Sequence, residues 1–189
     1  MAKLKGRNAI VTGAAVGLGS SYAKALAREG VNVAVCDLRE EIHEVAEILR
    51  SLGVNAASYQ GDVSDPALVR SVVDGAQEEF GSIDILVNNA GILRDRMFIS
   101  LSEEDWDMVM KVHLKGHFCL ANILGRRWRD AAKAGNKVDA RIINTSSGAG
   151  LQGSIGQSNY SAAKGGIASL TLVQAAEMAR YGVTVNGLA

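Results

Sequence analysis

The regular alternation of short apolar runs with longer amphipathic segments most constrains the fold of this chain. Runs rich in Val, Ile and Ala have the length and composition of buried β-strands, and they lie at 8–12, 31–36, 54–59, 83–87, 141–144 and 183–186. Nearly continuous apolar strands separated by helices are typical of a parallel sheet that is covered on both faces. The sequence therefore predicts an α/β fold with a doubly wound parallel sheet and three α/β/α layers.

The helical segments between these runs have recognisable ends. Asp65 stands where an N-cap is expected, and Pro66, the only proline, follows at the first helical position, where a missing amide hydrogen does no harm. The predicted helices cover about 18–29, 40–52, 66–80, 103–128 and a stretch through Tyr160 to about 181. Glycines follow four of them, at Gly30, Gly53, Gly81 and Gly182. The basic segment 126–137 is predicted to be a solvated, loop-like insertion.

Length and composition set the class of protein. The 189 residues suit a single domain over 1–189, with 48% hydrophobic and 21% charged residues. Twenty basic residues balance twenty acidic ones, so a nucleic-acid or acidic-membrane partner gains no support. No run approaches the roughly 18 apolar residues of a membrane span. The two cysteines, Cys36 and Cys119, lack metal-site spacing and are typical of a reducing compartment, which predicts a cytoplasmic protein without a metal site.

A glycine-rich turn joins the first predicted strand to the first predicted helix. Glycines at this place let the backbone approach a pyrophosphate, which then rests on amide hydrogens at the helix N-terminus. A tight strand-to-helix turn is the alternative, but the position and the acidic Asp37 eighteen residues later favour a dinucleotide site. The candidate contacts in the turn are Gly13, Val16, Gly17, Leu18 and Gly19.

Asp37, at the end of the second predicted strand, bears on the choice of cofactor. Its carboxylate can accept hydrogen bonds from a ribose 2′-hydroxyl and would repel a 2′-phosphate. No basic residue occurs at 14–16 to attract such a phosphate, although Arg39 lies close enough to offset Asp37 in part. The sequence therefore favours NAD over NADP.

Tyr160 and Lys164 form a candidate proton-transfer pair. Residues four apart share one face of a helix, so the ammonium can lie beneath the phenol and favour its anion. A unit charge about 4 Å away at an effective dielectric of ~20 contributes roughly 4 kcal/mol, which suits the tyrosine to general acid–base work. A Tyr–Lys pair at this spacing often arises by composition alone. The prediction of a proton-transfer pair therefore rests on Ser147, thirteen residues upstream, and on the glycine turn.

In their order and spacing these motifs resemble those of the classical short-chain dehydrogenase/reductases, over essentially the whole chain. The residues that carry the resemblance are Thr12-Gly13-x-x-x-Gly17-x-Gly19, Asn88-Asn89-Ala90-Gly91, Ser147 and Tyr160-x-x-x-Lys164. The resemblance implies a Rossmann-type fold and an NAD(P)-dependent enzyme that interconverts a secondary alcohol and a ketone.

The resemblance also implies individual roles. Tyr160 would be the acid/base, Ser147 would hydrogen-bond the substrate oxygen, and Lys164 would assist the tyrosine and bind the nicotinamide ribose. Further cofactor contacts are implied for Asp62 and Val63, beside the adenine, and for Asn89, on the cofactor floor. Purely structural roles stay open for some of these residues, because Asp62 could instead cap the turn before Pro66, and Asn88 and Asn89 could be turn formers.

Two features depart from the family pattern. His113 stands where many relatives have an asparagine whose backbone carbonyl holds a water of the proton relay; the imidazole could join that relay or could simply pack. Family members also continue beyond the Val-Asn segment with a substrate lid and a last strand, whereas this sequence ends at Ala189. A C-terminally truncated domain is therefore expected, and a non-catalytic dinucleotide-binding module stays open as an alternative.

Substrate and assembly are predicted through the resemblance alone. Segments 91–96, 104–106 and 112–114 are similar to those of 3-hydroxyacyl-CoA dehydrogenase and 3-oxoacyl reductase members. They favour a small hydroxy or keto substrate of the acyl-thioester class and hence a role in lipid metabolism, with a hydroxysteroid as the alternative. The family's helix pairing implies a homodimer or homotetramer, through the helix around 106–124 and the helix that carries Tyr160.

Overall fold

A single parallel sheet organises the protein, whose computed structural model describes residues 4–189. The first three residues of the predicted domain lie outside this description. Residues 4–189 form six strands in the order β3-β2-β1-β4-β5-β6. They are β1 (Asn8–Thr12), β2 (Asn32–Asp37), β3 (Ala56–Gln60), β4 (Ile85–Asn88), β5 (Ala140–Thr145) and β6 (Val183–Leu188). The chain order reverses between β1 and β4, and the crevice beyond the carboxyl ends of these two strands is where ligands bind in such sheets.

Helices cover both faces of the sheet. They are α1 (Gly17–Arg28), α2 (Ile42–Ser51), α3 (Pro66–Phe80), α4 (Glu103–Met110), α5 (Gly116–Lys133), α6 (Gly148–Gln152) and α7 (Ser158–Met178). On one face, Val11 packs with Leu49 of α2. On the other, Ile10 packs with Val73 of α3 and Leu120 of α5. Alternate residues of β1 thus serve opposite layers, and the predicted doubly wound three-layer fold is confirmed.

The predicted helix ends agree with the structure where local chemistry determines them. Asp65 Oδ1 accepts from the Ala67 amide at 2.9 Å, and Pro66 opens α3. Gly182 has a φ of 77°, and a Cβ there would lie 2.3 Å from the Val138 carbonyl oxygen, so only glycine suits the position before β6.

The region 103–137 differs from the sequence-based prediction. A π-helical turn at Lys111–Lys115 separates α4 from α5, and α5 continues to Lys133, so the predicted loop-like insertion at 126–137 is wrong over most of its length. The reason is Trp128, whose indole is buried and donates to the Ile83 carbonyl oxygen at 2.8 Å. This long-range anchor holds the helix against the sheet while its arginines face outward.

Two kinds of feature are absent from the described part of the chain. Among residues 4–189, no helix has the length and hydropathy that crossing a membrane requires. The same residues contain no cluster of three or more His, Cys, Asp or Glu side chains arranged to hold a metal ion.

Candidate active site

The glycine turn between β1 and α1 is packed tightly against the segment that follows β4. A Cβ on Gly13 would lie 2.7 Å from Ala90 Cα, and a Cβ on Gly19 would lie 2.0 Å from the Gly13 carbonyl oxygen. Both positions therefore exclude any side chain. Gly13 and Gly19 were predicted to contact the cofactor. The structure shows that each must be glycine because other backbone atoms approach it closely.

Asn89 holds this turn in place. Its Nδ2 donates to the carbonyl oxygens of Thr12 and Gly13, each at 3.1 Å. In return, Thr12 Oγ1 accepts from the amides of Asn89 and Ala90, each at 3.0 Å. The two segments flanking the β1–β4 switch point are thereby joined side chain to backbone, and Asn89 is more than a turn former.

The opposite side of the turn is open. Gly17 has a φ of 61°, and a Cβ there would meet no atom within 4 Å. Val16 and Leu18 are 47% and 62% exposed, unusual for apolar residues in a turn held so firmly on its other side. The N-terminus of α1 has no side-chain cap, so its amides point into this open space. Bare amides, glycine and an apolar rim fit the pyrophosphate of a dinucleotide.

Asp37 closes the far end of this crevice. Its Oδ2 accepts from the Ala15 amide at 3.0 Å, and its Oδ1 accepts from the Arg39 amide at 3.0 Å. These bonds fix the carboxylate at the end of β2 and tie it to the glycine turn. Each carboxylate oxygen keeps a further lone pair that a ribose hydroxyl can use.

Asp62 and Val63, after β3, have structural partners of their own. Asp62 accepts from the amide and hydroxyl of Ser64 at 2.8 and 2.7 Å, and from Lys111 Nζ at 3.2 Å. Burial raises the pKa of Asp62, but these hydrogen bonds outweigh it and hold the pKa below its ordinary value. Val63 is buried in the core against Gly116. The structure therefore gives Asp62 a turn-forming role, while Asp65 caps α3.

Tyr160 and Lys164 lie on one face of α7, as their spacing predicts. Lys164 Nζ is 5.6 Å from the centroid of the Tyr160 ring. The lysine is 2% exposed, and its Nζ donates to the Thr145 carbonyl oxygen at 2.5 Å. Burial lowers the pKa of Lys164 from 10.5 to about 8. The structure thus places a desolvated ammonium beside a phenol that is itself partly exposed.

The two serines after β5 have different surroundings. Ser146 is buried and donates to the Lys164 carbonyl oxygen at 2.8 Å, so its hydroxyl is committed to holding α7. Ser147 is partly exposed and caps α6 by accepting from the Ala149 amide at 3.2 Å. Of the two, only Ser147 retains an accessible hydroxyl with a proton to donate.

His113 lies in the π-helical turn and contacts the candidate acid/base. Its ring meets that of Tyr160 edge to face, with centroids 5.3 Å apart. Its Nε2 lies 3.0 Å from the amide nitrogen and 2.8 Å from the carbonyl oxygen of Ile92. A Cβ on Gly91 would lie 2.5 Å from the ring, so the imidazole occupies the space that glycine leaves. Burial lowers the pKa of His113 to about 4, which keeps the ring neutral at physiological pH.

A buried polar network lies behind Lys164, and the sequence did not predict it. Asn88 Nδ2 donates to Asn144 Oδ1 at 3.0 Å, and Asn144 Nδ2 donates to Thr171 Oγ1 and Gln174 Oε1 at 3.0 and 2.9 Å. Asn88 also bonds the backbone of His117, which is 2% exposed. The available signal was an asparagine near the end of two apolar strands, Asn88 and Asn144, which are direct partners in the sheet.

Two exposed apolar side chains lie on the segments that run past the Tyr160 region. Segment 93–96 runs beside 154–157, where the Arg96 amide donates to the Gly156 carbonyl oxygen at 2.9 Å and Gln157 bonds Asp95. Between and beside these contacts, Leu93 and Ile155 are 54% and 90% exposed. The edge of the Tyr160 region thus combines these exposed apolar side chains with the charged Arg94, Asp95 and Arg96.

Comparison with known proteins identifies the class to which this fold and site belong. Residues 7–189 match the family described as short chain dehydrogenase. The chain belongs to this family, which confirms the resemblance drawn from the motifs.

Two relatives within the family are similar to nearly the whole of this chain. The chain is 45% identical to hydroxyacyl-CoA dehydrogenase ChsB1 of Mycobacterium tuberculosis, over 97% of this chain and 60% of that protein. It is 40% identical to the 3-oxoacyl-[acyl-carrier-protein] reductase FabG of Staphylococcus aureus, over 97% of this chain and 73% of that protein. The chain thus spans about 60% of the length of ChsB1.

Solved structures show the same fold. A short chain dehydrogenase from Mycobacterium avium superimposes with a TM-score of 0.96 at 50% identity, covering 98% of this chain and 68% of that one. NAD+-bound xylitol dehydrogenase superimposes with a TM-score of 0.90 at 32% identity, covering 98% of this chain and 70% of the other.

Proposed function

We propose that the protein to which this chain belongs is an NAD-dependent oxidoreductase that interconverts a secondary alcohol and a ketone. The observation that carries the proposal is the buried Lys164 ammonium, 5.6 Å from the centre of the Tyr160 ring, next to the open glycine turn. The buried amine lies on the same face of α7 as the phenol, whose O–H can exchange a proton with a bound substrate. General acid–base catalysis at a hydroxyl or carbonyl oxygen requires a group of this kind.

The open crevice supports the cofactor part of the proposal. Gly17 would admit the pyrophosphate, Gly13 and Gly19 would keep the turn in the shape that receives it, and the exposed Val16 and Leu18 would be covered by the bound molecule. Asp37 would accept from the adenosine ribose, while Lys164 and Tyr160 would face the nicotinamide side. When bound, the nicotinamide supplies the hydride chemistry that protein side chains lack. An adenine contact for Asp62 and Val63 remains part of the proposal.

Side chains of the protein accept and return the proton that the substrate oxygen exchanges. In the oxidation direction, the Tyr160 phenolate takes the proton from the substrate hydroxyl; in reduction, the phenol returns it to the carbonyl oxygen. Ser147 donates a hydrogen bond to that same oxygen and orients it. His113, held neutral by burial, fixes the Ile92 backbone beside the tyrosine. The activity of a His113→Asn variant decides whether the imidazole also takes part in the relay.

Asp37 supports NAD as the cofactor in preference to NADP. Its carboxylate is fixed in the crevice by the Ala15 and Arg39 amides, where it would repel a 2′-phosphate. The test compares KM for both cofactors in wild type and in Asp37→Asn, which keeps an acceptor for the Ala15 amide while removing the charge. We expect the preference for NAD to shrink by about tenfold or more in the variant. An unchanged preference, or a wild-type preference for NADP, contradicts this part of the proposal.

A 3-hydroxyacyl or 3-oxoacyl thioester is the proposed substrate. The support is the likeness to ChsB1 and FabG together with the apolar side chains Leu93 and Ile155 at the entrance. Purified protein with NAD and racemic 3-hydroxybutyryl-CoA is expected to produce NADH, measured by its absorbance. Turnover of a hydroxysteroid with none of the acyl-CoA would favour the steroid alternative. Binding of NAD without turnover of either substrate would favour a non-catalytic module.

A further inference from the structure

Asn159, which directly precedes Tyr160 in α7, is a buried polar residue that the proposed mechanism does not use. It is 0% exposed, and its Oδ1 accepts from the Tyr160 amide at 2.7 Å. Its Nδ2 donates to the Arg94 carbonyl oxygen at 3.0 Å and to the Asp105 carbonyl oxygen at 3.3 Å. One carboxamide thus connects the backbone of the candidate acid/base to two segments that lie 65 and 54 residues away in the chain.

The first turn of α7 takes its support from this carboxamide. The helix begins at Ser158, so Tyr160 lies in the first turn, where backbone amides have no partner inside the helix. The N-cap residue, Gln157, makes no side-chain cap, and its side chain bonds Asp95 instead. Asn159 therefore supplies the acceptor that the amide of Tyr160 would otherwise lack.

Lys164, one turn further along α7, is held by other groups. Ser146 Oγ donates to the Lys164 carbonyl oxygen at 2.8 Å, and Lys164 Nζ donates to the Thr145 carbonyl oxygen at 2.5 Å. Both anchors lie at the end of β5. Tyr160, in contrast, is tied through Asn159 to the connection after β4 and to α4. The two members of the proton-transfer pair are therefore fixed by different parts of the fold.

We propose that Asn159 is a positioning residue that sets where the Tyr160 phenol lies relative to Lys164. The direction of a side chain follows its backbone, so a shift in the first turn of α7 displaces the phenol while the lysine stays anchored to β5. Displacing a reacting group by about 1 Å can lower a rate about 100-fold. Asn159 acts on the reaction only through Tyr160, so this inference rests on the proposed function.

The tether itself is tested by hydrogen exchange, measured by NMR on the full chain labelled with ¹⁵N. We expect the Tyr160 amide and the Asn159 carboxamide protons to exchange slowly, whereas first-turn amides without a partner exchange fast. A Tyr160 amide that exchanges as fast as the amide of Glu104, an exposed residue in the first turn of α4, overturns the proposal. This measurement needs no turnover, so it decides the tether even if none of the proposed substrates reacts.

The positioning role is tested by Asn159→Ala. We expect kcat with NAD to fall about 10- to 100-fold, with KM for NAD nearly unchanged. The NOE between the rings of His113 and Tyr160, which meet edge to face in the wild type, should weaken. Partial unfolding would lower kcat by reducing the number of NAD sites per chain, so calorimetry should show that this number is unchanged.

Asn8 offers a matched control at the opposite end of β1 from the glycine turn. It is 4% exposed, and its Nδ2 donates to the Phe80 carbonyl oxygen at 3.3 Å and to Ser82 Oγ at 3.1 Å. Its Oδ1 accepts from Asn32 Nδ2 at 2.9 Å. Asn8→Ala therefore loses the same number of side-chain hydrogen bonds, and its kcat should equal that of the wild type.

Two kinetic results would overturn the positioning role. One is a wild-type kcat in Asn159→Ala. The other is an equal loss of kcat in Asn159→Ala and Asn8→Ala, which would show that the carboxamide contributes to stability alone. If Asn159→Ala fails to fold, hydrogen exchange in the wild-type chain still decides, because slow exchange of the Tyr160 amide is expected only where its acceptor is in place.

Discussion

At the scale of single residues, burial lowers the pKa of both basic groups beside Tyr160, and the identity of each side chain decides which of them stays charged. Lys164 and His113 both lie beside Tyr160 and are 2% and 1% exposed, and burial lowers the pKa of each. The lysine, with a pKa of about 8, retains its charge near neutral pH, whereas the histidine, with a pKa of about 4, does not. The phenol thus has one charged and one neutral neighbour.

The role of Tyr160 predicts a selective loss of activity. Tyr160→Phe removes the proton that is exchanged with substrate but keeps the ring against His113, so kcat should fall about 10²- to 10⁴-fold. NAD binding, measured by fluorescence titration, should change little. Tyr22→Phe on α1 is the matched control, and retained activity in the Tyr160 variant would disprove the mechanism.

The neutral state of His113 predicts a loss of stability in acid. The unfolded chain takes up this proton near pH 6.5, whereas the folded chain resists until about pH 4. Between these values the unfolded state binds more protons, so stability falls as the pH falls. This difference in the pKa of His113 contributes about 3 kcal/mol to the free energy of unfolding. The contribution is fully present above pH 6.5 and is lost by about pH 4.

His113→Asn provides the test of this linkage. An amide keeps one donor and one acceptor for Ile92 but does not titrate. Urea unfolding at pH 7 and at pH 4 should show that wild type loses about 3 kcal/mol more than the variant. His43→Asn is the control for a histidine outside the core. Equal losses in wild type and His113→Asn would show that His113 is not the linked group. Retained kcat in His113→Asn would exclude an imidazole relay.

At the scale of elements, the β1–α1 turn depends on backbone contact with the end of β4. Asn89 bonds two carbonyl oxygens of the turn, and Gly13 and Gly19 leave no room for a side chain. The crevice is therefore shaped before any ligand arrives, which reduces the entropy lost on binding.

Gly19→Ala tests this contact. The added methyl would lie 2.0 Å from the Gly13 carbonyl oxygen and 2.6 Å from Asn89 Nδ2, so the turn must shift. We expect a loss of about 1–3 kcal/mol in unfolding free energy together with weaker NAD binding, measured by calorimetry. Gly148→Ala, whose methyl would meet nothing within 4 Å, should leave stability nearly unchanged. Equal effects in both variants would contradict a role for close packing.

At the scale of the whole molecule, exposed apolar side chains gather on the face formed by α5 and α7, beside the charged Arg126, Arg129 and Glu177. A groove of about 410 Å³ runs between α5 and α7 over Ile142. Beside it, Phe118, Leu172 and Val173 are 51%, 73% and 50% exposed. Apolar groups grouped on one face are typical of an interaction surface. We propose that this face pairs with a second copy of the chain.

Leu172→Glu tests the pairing. Light scattering of the wild type is expected to give at least twice the mass of one chain, and the variant should shift toward a single chain, because burying an unpaired carboxylate opposes association. Ile48→Glu, which places the same charge on an exposed apolar position of α2, should not change the mass. A wild-type monomer at micromolar concentration would rule the pairing out.

The sequence by itself determined the layers, the succession of strands and helices and the candidate site residues. Period and spacing are encoded in neighbouring residues: Tyr160 and Lys164 share a face of α7 because they are four apart, and Asp65 and Pro66 begin α3 by local chemistry. The glycine turn is likewise recognisable by its place between a strand and a helix.

Only the tertiary structure decided which groups meet across long sequence separations. Asn88 bonds Asn144, fifty-six residues away, and Trp128 bonds Ile83, forty-five residues away. The second contact holds as helix a segment that the sequence predicted to be a loop. Such partners depend on the packing of the complete sheet, and no local pattern specifies them. The same is true of the charge states of Lys164 and His117, because burial exists only once the chain has folded.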